Sequence, residues 1–179
     1  MYNLELVKFL GSEREYLELY NWCMEKDVYE WFEQRILSYD EIVSKYSSKL
    51  SDKEQHLYII RNCNDDIGLV QVYRYKYDIN LRELDRYKNI YEYDLFIGDK
   101  NYLGRGFGKI IINKINNIIY DEYGADAIIL RPFKKNIRAI KCYQKCNFKD
   151  IYEYVDRDTL GNEESVVVFL GDRYGNSGI

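Results

Sequence analysis

Apolar residues alternate with polar ones, or recur every three to four residues, along most of the chain, and these two periods divide it into strands and helices. Leu4 to Leu10 reads as a first strand, broken by Gly11. Ser12, with Glu15 at capping-box distance, opens a helix whose apolar face is Tyr16, Leu17, Leu19, Tyr20 and Cys23. Val28 to Phe32 continues as a short helix. Its Trp31 and Phe32 are expected in the core, the other placement being the wall of a cleft. Asp40 to Leu50 forms a further helix, with Ile42, Val43, Tyr46 and Leu50 on one side. His56 to Arg61 and Ile67 to Tyr77 are strands joined by the turn Asn62 to Asp66, rich in residues that tolerate positive φ. Asp78 to Asn89 is a charged loop or short helix, placed in either form to border a substrate cleft.

The stretch from Tyr91 to Phe148 organises the rest. Tyr91 to Ile97 is a buried strand, followed by the turn Gly98 to Tyr102. Leu103-Gly104-Arg105-Gly106-Phe107-Gly108-Lys109 then opens the most apolar helix, which runs through Ile110 to Tyr123 and stops at Gly124. Ala127 to Leu130 is wholly apolar, as a central strand should be, and Arg131-Pro132 ends it. Lys135 to Cys146 is a helix with Asn147 at the left-handed position that closes it. Phe148 to Val155 and Ser165 to Leu170 are late strands around the acidic loop Asp156 to Glu164. The order β, helices, β-hairpin, β, α, β, α, β, β predicts one α+β (mixed α/β) domain over residues 1–179. The two central β-to-α steps imply locally parallel pairing.

Composition narrows the function classes. The 179 residues are 46 % apolar, enough for a sizeable core. The net charge of −4 argues against nucleic acid and for a cationic partner. No apolar run is long enough to cross a membrane, and Met1 to Glu5 is no signal peptide, so a cytoplasmic protein is expected. The 20 Tyr and single Pro match the bias of an A+T-rich genome, so no role is assigned to each Tyr. Cys23, Cys63, Cys142 and Cys146 fit no zinc spacing and are expected as buried, reduced thiols; no metal is expected. His56 is expected as a core or strand-edge histidine.

Strand, Gly-rich loop and helix together suit a pyrophosphate: glycines admit the anion to the backbone, and the helix N-terminus attracts it. A Walker A loop requires Ser or Thr after Lys109, where Ile110 stands. A dinucleotide fingerprint requires a third Gly where Lys109 stands. A third pattern fits: strand, x-x-G-x-G, helix, strand, then a helix bearing Asn136-Ile137-Arg138-Ala139-Ile140-Lys141-Cys142-Tyr143. With Ile67 to Tyr73, Tyr93 to Gly98, Asn101 to Gly108, Lys145 and Phe148, these segments resemble the Gcn5-related N-acetyltransferase (GNAT) superfamily. More closely, they resemble the aminoglycoside 6'-N-acetyltransferases.

The resemblance implies a single GNAT-like domain with a mostly antiparallel sheet, a splayed parallel pair and helices on both faces. It implies that acetyl-CoA is held by Arg105, Gly106, Phe107, Gly108 and Lys109 at the pyrophosphate, by the strand end Phe96-Ile97 along the pantetheine arm, and by Asn136. Tyr143 matches the acid that protonates the leaving thiolate, the plain alternative being one more core aromatic. Asp94 matches the residue that engages the acceptor amine. Alternation puts Glu92 on the face of Asp94, so both are expected to bind a polycationic acceptor; the other reading of Glu92 is a solvated strand residue.

Three positions depart from the pattern: Leu103 stands for Gln or Arg, Asn147 for Gly, and Arg131 for the common Asp of Asp-Pro, reversing the local charge. The expected activity is direct acetyl transfer to a primary amine, the 6'-amino group of an aminoglycoside-like molecule, by a monomer or homodimer with no nucleic-acid or membrane partner. The alternatives are another amine (a protein N-terminus or lysine, a polyamine, a hydroxylysine-type metabolite) and a non-catalytic acyl-CoA-binding module.

Overall fold

The computed structural model describes residues 3–76, 78–158 and 160–173. The elements are β1 (Leu4–Lys8), α1 (Glu13–Cys23), α2 (Lys26–Tyr29), α3 (Tyr39–Ser51), β2 (Gln55–Asn62), β3 (Asp65–Arg74), β4 (Ile90–Ile97), α4 (Phe107–Asp121), β5 (Ala127–Leu130), α5 (Ile137–Lys145), β6 (Lys149–Arg157) and β7 (Glu163–Asp172). One seven-stranded sheet runs β1-β2-β3-β4-β5-β7-β6. Every neighbouring pair is antiparallel except β4 and β5. The fold is the mixed α+β architecture expected, with helices on both faces.

Period-2 alternation sends each strand's side chains to two cores. Tyr58, Ile60, Val70, Val72 and Tyr93 face α4, whose Phe107, Ile111, Ile112, Ile115 and Ile119 form one buried stripe. Leu57, Ile59, Leu69 and Phe96 face α1 and α3 on the other side. Both of these helices begin with a capping box. Ser12 pairs with Glu15 as expected, and Ser38 pairs with Glu41 through the same spacing. Each cap satisfies backbone donors that the first turn leaves open, a contribution of about 1 kcal/mol.

Several boundaries move. β3 stops at Arg74, where its partner strand β4 also begins, the Tyr75 amide making a last bond to the Ile90 carbonyl at 2.9 Å; the expected end, Tyr77, lies outside the described residues. The segment 78–89 is mostly loop around a single 3-10 turn, Arg82–Leu84, and it covers a small core of Leu81, Leu84, Ile90 and Ile129. β6 and β7 extend further than the apolar pattern suggested, so their connecting loop is shorter. Strand pairing needs only backbone groups, and the edge strand β6 stays exposed along most of its length. The buried-thiol expectation fails at Cys63, which is exposed on the β2–β3 turn at φ +55°; Cys142 and Cys146 are half-buried, and all four thiols are free. His56 sits half-buried at the start of β2, stacked on Tyr123 at 4.3 Å between ring centroids.

Candidate active site

β4 and β5 pair only over Ile90↔Ala127, Tyr91↔Ile128 and Glu92↔Ile129. Beyond Glu92 they part, while β4 stays paired to β3 through Ile97. The parting opens a cavity of about 280 Å³ between the free side of β4 and the N-terminal half of α5. Asp94, Phe96, Asn136 and Tyr143 all line it. Ile97 is half-buried at the strand end, outside that lining. Trp31 and Phe32 are half-buried and form the opposite wall, Phe32 packing edge-on to Phe96 at 4.7 Å. Phe32 takes both expected placements, packing against the α1–α3 core while lining the cleft, whereas Trp31 lines the cleft.

The Gly-rich turn follows β4 and brings α4 to the same end of the sheet. Gly106 is the N-cap of α4 at φ +83° and supplies no side-chain acceptor. A Cβ at Gly104 or Gly106 would meet nothing within 4 Å, so the glycines answer the left-handed backbone and leave the helix end uncovered. No acidic residue lies in the first turn. Arg105, Gly106 and Lys109 are exposed and Gly108 is half-buried, whereas the Phe107 side chain is buried against Tyr102 and offers only its backbone. Arg105 Nη1 donates to the Asn101 carbonyl at 3.1 Å. Asn136 is the N-cap of α5, its Oδ1 accepting from the Ala139 amide at 3.1 Å.

A second cavity, of about 410 Å³, lies on the other side of Asp94. Asp94 and Arg131 line both cavities and so form the wall between them. Asp94 Oδ2 accepts from Gln71 Nε2 at 3.0 Å and from Tyr73 Oη at 2.8 Å. Lys49 Nζ donates to Gln71 Oε1, extending the chain to α3. Burial and the Asp94 charge raise the Tyr73 phenol, so it stays a donor. Burial also raises the Tyr143 phenol, with Asp94 adding to the rise. Its ring packs on Phe169 at 5.9 Å and Phe148 at 6.1 Å, so Tyr143 is at once a packed aromatic and a cavity wall. Burial and the neighbouring Lys45 lower the Lys49 ammonium.

Glu92 is 3 % exposed, which overturns its reading as a solvated residue. Both its oxygens are held by Arg131, Oε1 by Nε at 2.6 Å and Oε2 by Nη2 at 2.7 Å. Arg131 Nη1 donates to Asp78 Oδ2 at 2.8 Å. Burial pushes the Glu92 carboxyl up and Arg131 pulls it back. Arg131 therefore does not make the site cationic: Glu92 and Asp78 hold its charge, and Asp94 remains beside them. Gln71, Tyr73, Lys49 and Asp78 were not singled out in the sequence. A polar Gln71 inside an otherwise apolar strand was the available signal. A larger cavity of about 750 Å³, between α4, the end of α5 and β7, contains none of these groups. Among the described residues, no cluster of His, Cys, Asp or Glu is placed to hold a metal, and no helix is long and apolar enough to cross a membrane.

The acetyltransferase (GNAT) domain model matches residues 12–155. The spermidine N(1)-acetyltransferase of Vibrio cholerae is 24 % identical over 119 residues, 66 % of this chain and 63 % of that protein. The match thus spans under two thirds of that relative. The aminoglycoside N(6')-acetyltransferase type 1 of Klebsiella pneumoniae is 23 % identical over 153 residues, 78 % of this chain and 72 % of that protein. The structure of the aminoglycoside acetyltransferase AAC(6')-Ib with coenzyme A superposes with a TM-score of 0.77 at 19 % identity, covering 97 % of this chain and 95 % of that one. The Vibrio cholerae spermidine N-acetyltransferase with CoA and spermine gives 0.77 at 18 %, covering 94 % and 95 %. At such identities the structural likeness is one of fold, and it is the family model, spanning most of the sequence, that identifies the chain as a member of the acetyltransferase (GNAT) domain family.

Proposed function

We propose that this chain transfers an acetyl group from acetyl-CoA to a primary amine of a small, aminoglycoside-like molecule, with the 6'-amino group as the acceptor. One observation carries the reading: Asp94 stands on the wall between the cleft at the strand parting and the charged cavity beside it. Acetyl-CoA fits the first. The uncapped N-terminus of α4, with Arg105 and Lys109, suits its pyrophosphate, and the unpaired side of β4 suits the amide-bearing pantetheine arm. The acceptor enters the second.

Asp94 orients the amine and takes its proton, directly or through water, as the nitrogen forms its bond to the thioester carbon. The free β4 amides polarise the carbonyl. The carbon–sulfur bond breaks, and the departing thiolate takes its proton from Tyr143, whose raised phenol remains a donor. Asn136 serves the cleft from the cap of α5. A polyamine acceptor is the second reading, favoured by the carboxylates Asp52 and Glu54 in the same cavity.

The test is free-thiol release from acetyl-CoA with kanamycin, spermidine or a lysine peptide as acceptor. Release with kanamycin supports the first reading. Release with spermidine alone moves the acceptor to the second. No release with any amine sinks the enzymatic reading.

A further inference from the structure

The Arg131 guanidinium makes two parallel bonds to buried Glu92 and a third bond to Asp78, and it lies 5.7 Å from the Tyr75 ring centroid. Two carboxylates and an aromatic face around one cation are the surroundings that a bound organic ammonium would need. Here the chain's own side chain occupies them. The side chain is 22 % exposed and lines the acceptor cavity, so the cradle opens toward substrate rather than into the core.

Glu92 and Asp94 are two residues apart on one face of β4, a spacing of roughly 6–7 Å at the ordinary strand rise. A molecule whose reacting amine sits at Asp94 would bring a second ammonium, three or four carbons away, to the place where Arg131 now is.

We propose that Arg131 is the specificity-determining residue of the acceptor cavity. It is an internal cation that fills the Glu92–Asp78 cradle and so denies it to a second ammonium near the reacting amine. This rests on the cavity beside Asp94 being the acceptor site. The acceptor it predicts carries one amine at Asp94 and any further positive charge toward the outer carboxylates Asp52 and Glu54. Besides Arg131, the charges that act most on Glu92 are Asp94 on its own strand and Asp78 across the cavity. Three further cations, Lys49, Arg74 and Lys76, line the same cavity, Lys49 being bonded to Gln71, and the Arg131 variants are read against that background.

Putrescine and n-butylamine share one carbon chain and differ in the second ammonium, which makes them the probes. Each is measured by thiol release and, independently, by calorimetric binding, in about 0.3 M salt so that the outer charges are screened. The wild-type protein is expected to show no tenfold preference for putrescine in either measurement. Arg131→Gln is expected to raise the putrescine-to-butylamine ratio at least tenfold, and Arg131→Lys, which keeps the cation, to leave it near the wild-type value. An equal fall for both amines in Arg131→Gln makes Arg131 a structural ion pair and overturns the proposal. A wild-type protein that already prefers putrescine tenfold overturns it without any variant. Binding without thiol release from any amine would fail the acetyltransferase reading, while the binding ratio still decides the role of Arg131.

Discussion

Gln71 and Asp94 face each other across the β3–β4 register, and Gln71 Nε2 donates to Asp94 Oδ2 at 3.0 Å. Tyr73 Oη donates to the same oxygen, so two bonds fix the carboxylate from the β3 side. An amine and its base must meet in a narrow range of geometry, and this arrangement fixes one of the two before the substrate arrives. Asp94→Asn keeps the shape and removes the base. It is expected to lower kcat by about 10²- to 10⁴-fold, the usual range for general acid–base catalysis. Acetyl-CoA affinity, read by calorimetry, should be kept; unchanged turnover would remove Asp94 from the mechanism.

Tyr143→Phe keeps the packing on Phe148 and Phe169 and removes the hydroxyl. A fall in kcat of about 10²-fold is expected, with thermal stability little changed. Because burial raises the phenol above its usual 10.0, its proton is retained across the neutral and mildly alkaline range. The falling limb that Tyr143 imposes on kcat therefore lies above about pH 10. A limb below pH 9 that persists in Tyr143→Phe would belong to another group.

Gly106→Ala adds a Cβ that meets no neighbour, so its whole cost is the left-handed backbone, about 1–2 kcal/mol. The helix responds by shifting its first turn. Weaker acetyl-CoA binding is expected, with acceptor affinity retained. The opposite pattern would separate this loop from the cofactor.

Gly68 is a different case. A Cβ there would lie 2.1 Å from the Phe96 carbonyl oxygen on the neighbouring strand. Gly68→Ala must push β3 and β4 apart just where β4 lines the cleft. A loss of about 1–3 kcal/mol is expected, the range for overpacking, measured by urea denaturation.

His56 gives a pH dependence of stability. Burial lowers its imidazole, with Lys8 adding to the effect. The folded chain therefore holds the proton less tightly than the unfolded one. The stability this contributes is fully present above about pH 6.5 and is lost as pH falls through the lower folded value. The drop in denaturation midpoint between pH 7.5 and pH 5.5 should be smaller in His56→Phe, which keeps a ring on Tyr123. An equal drop in both proteins would assign the acid sensitivity elsewhere.

Much of this architecture was legible in the chain. The α4 stripe, the Ser12–Glu15 cap, the glycine break after Tyr123 and the left-handed Asn147 each depend on residues within a turn or two. The resemblance carried by the Gly-rich loop and the Asn136 to Tyr143 helix led to the fold class and to Asp94. Trp31 and Phe32 could not be assigned from sequence because a large aromatic reads the same whether it packs inward or walls a cleft, and Phe32 does both. The ion pair of Glu92 was not legible because its partner lies 39 residues away.

By itself the sequence determined the local periodicities, the caps, the turn that leaves the α4 N-terminus open, and the family. Tertiary structure alone decided that β4 and β5 part after Glu92, that Gln71 and Tyr73 converge on Asp94, and that Arg131 is neutralised rather than free. The division has one physical cause. Helix periods and caps are set by neighbours along the chain, whereas a buried charge takes its meaning from whichever partner the sheet register and the crossing loop bring against it.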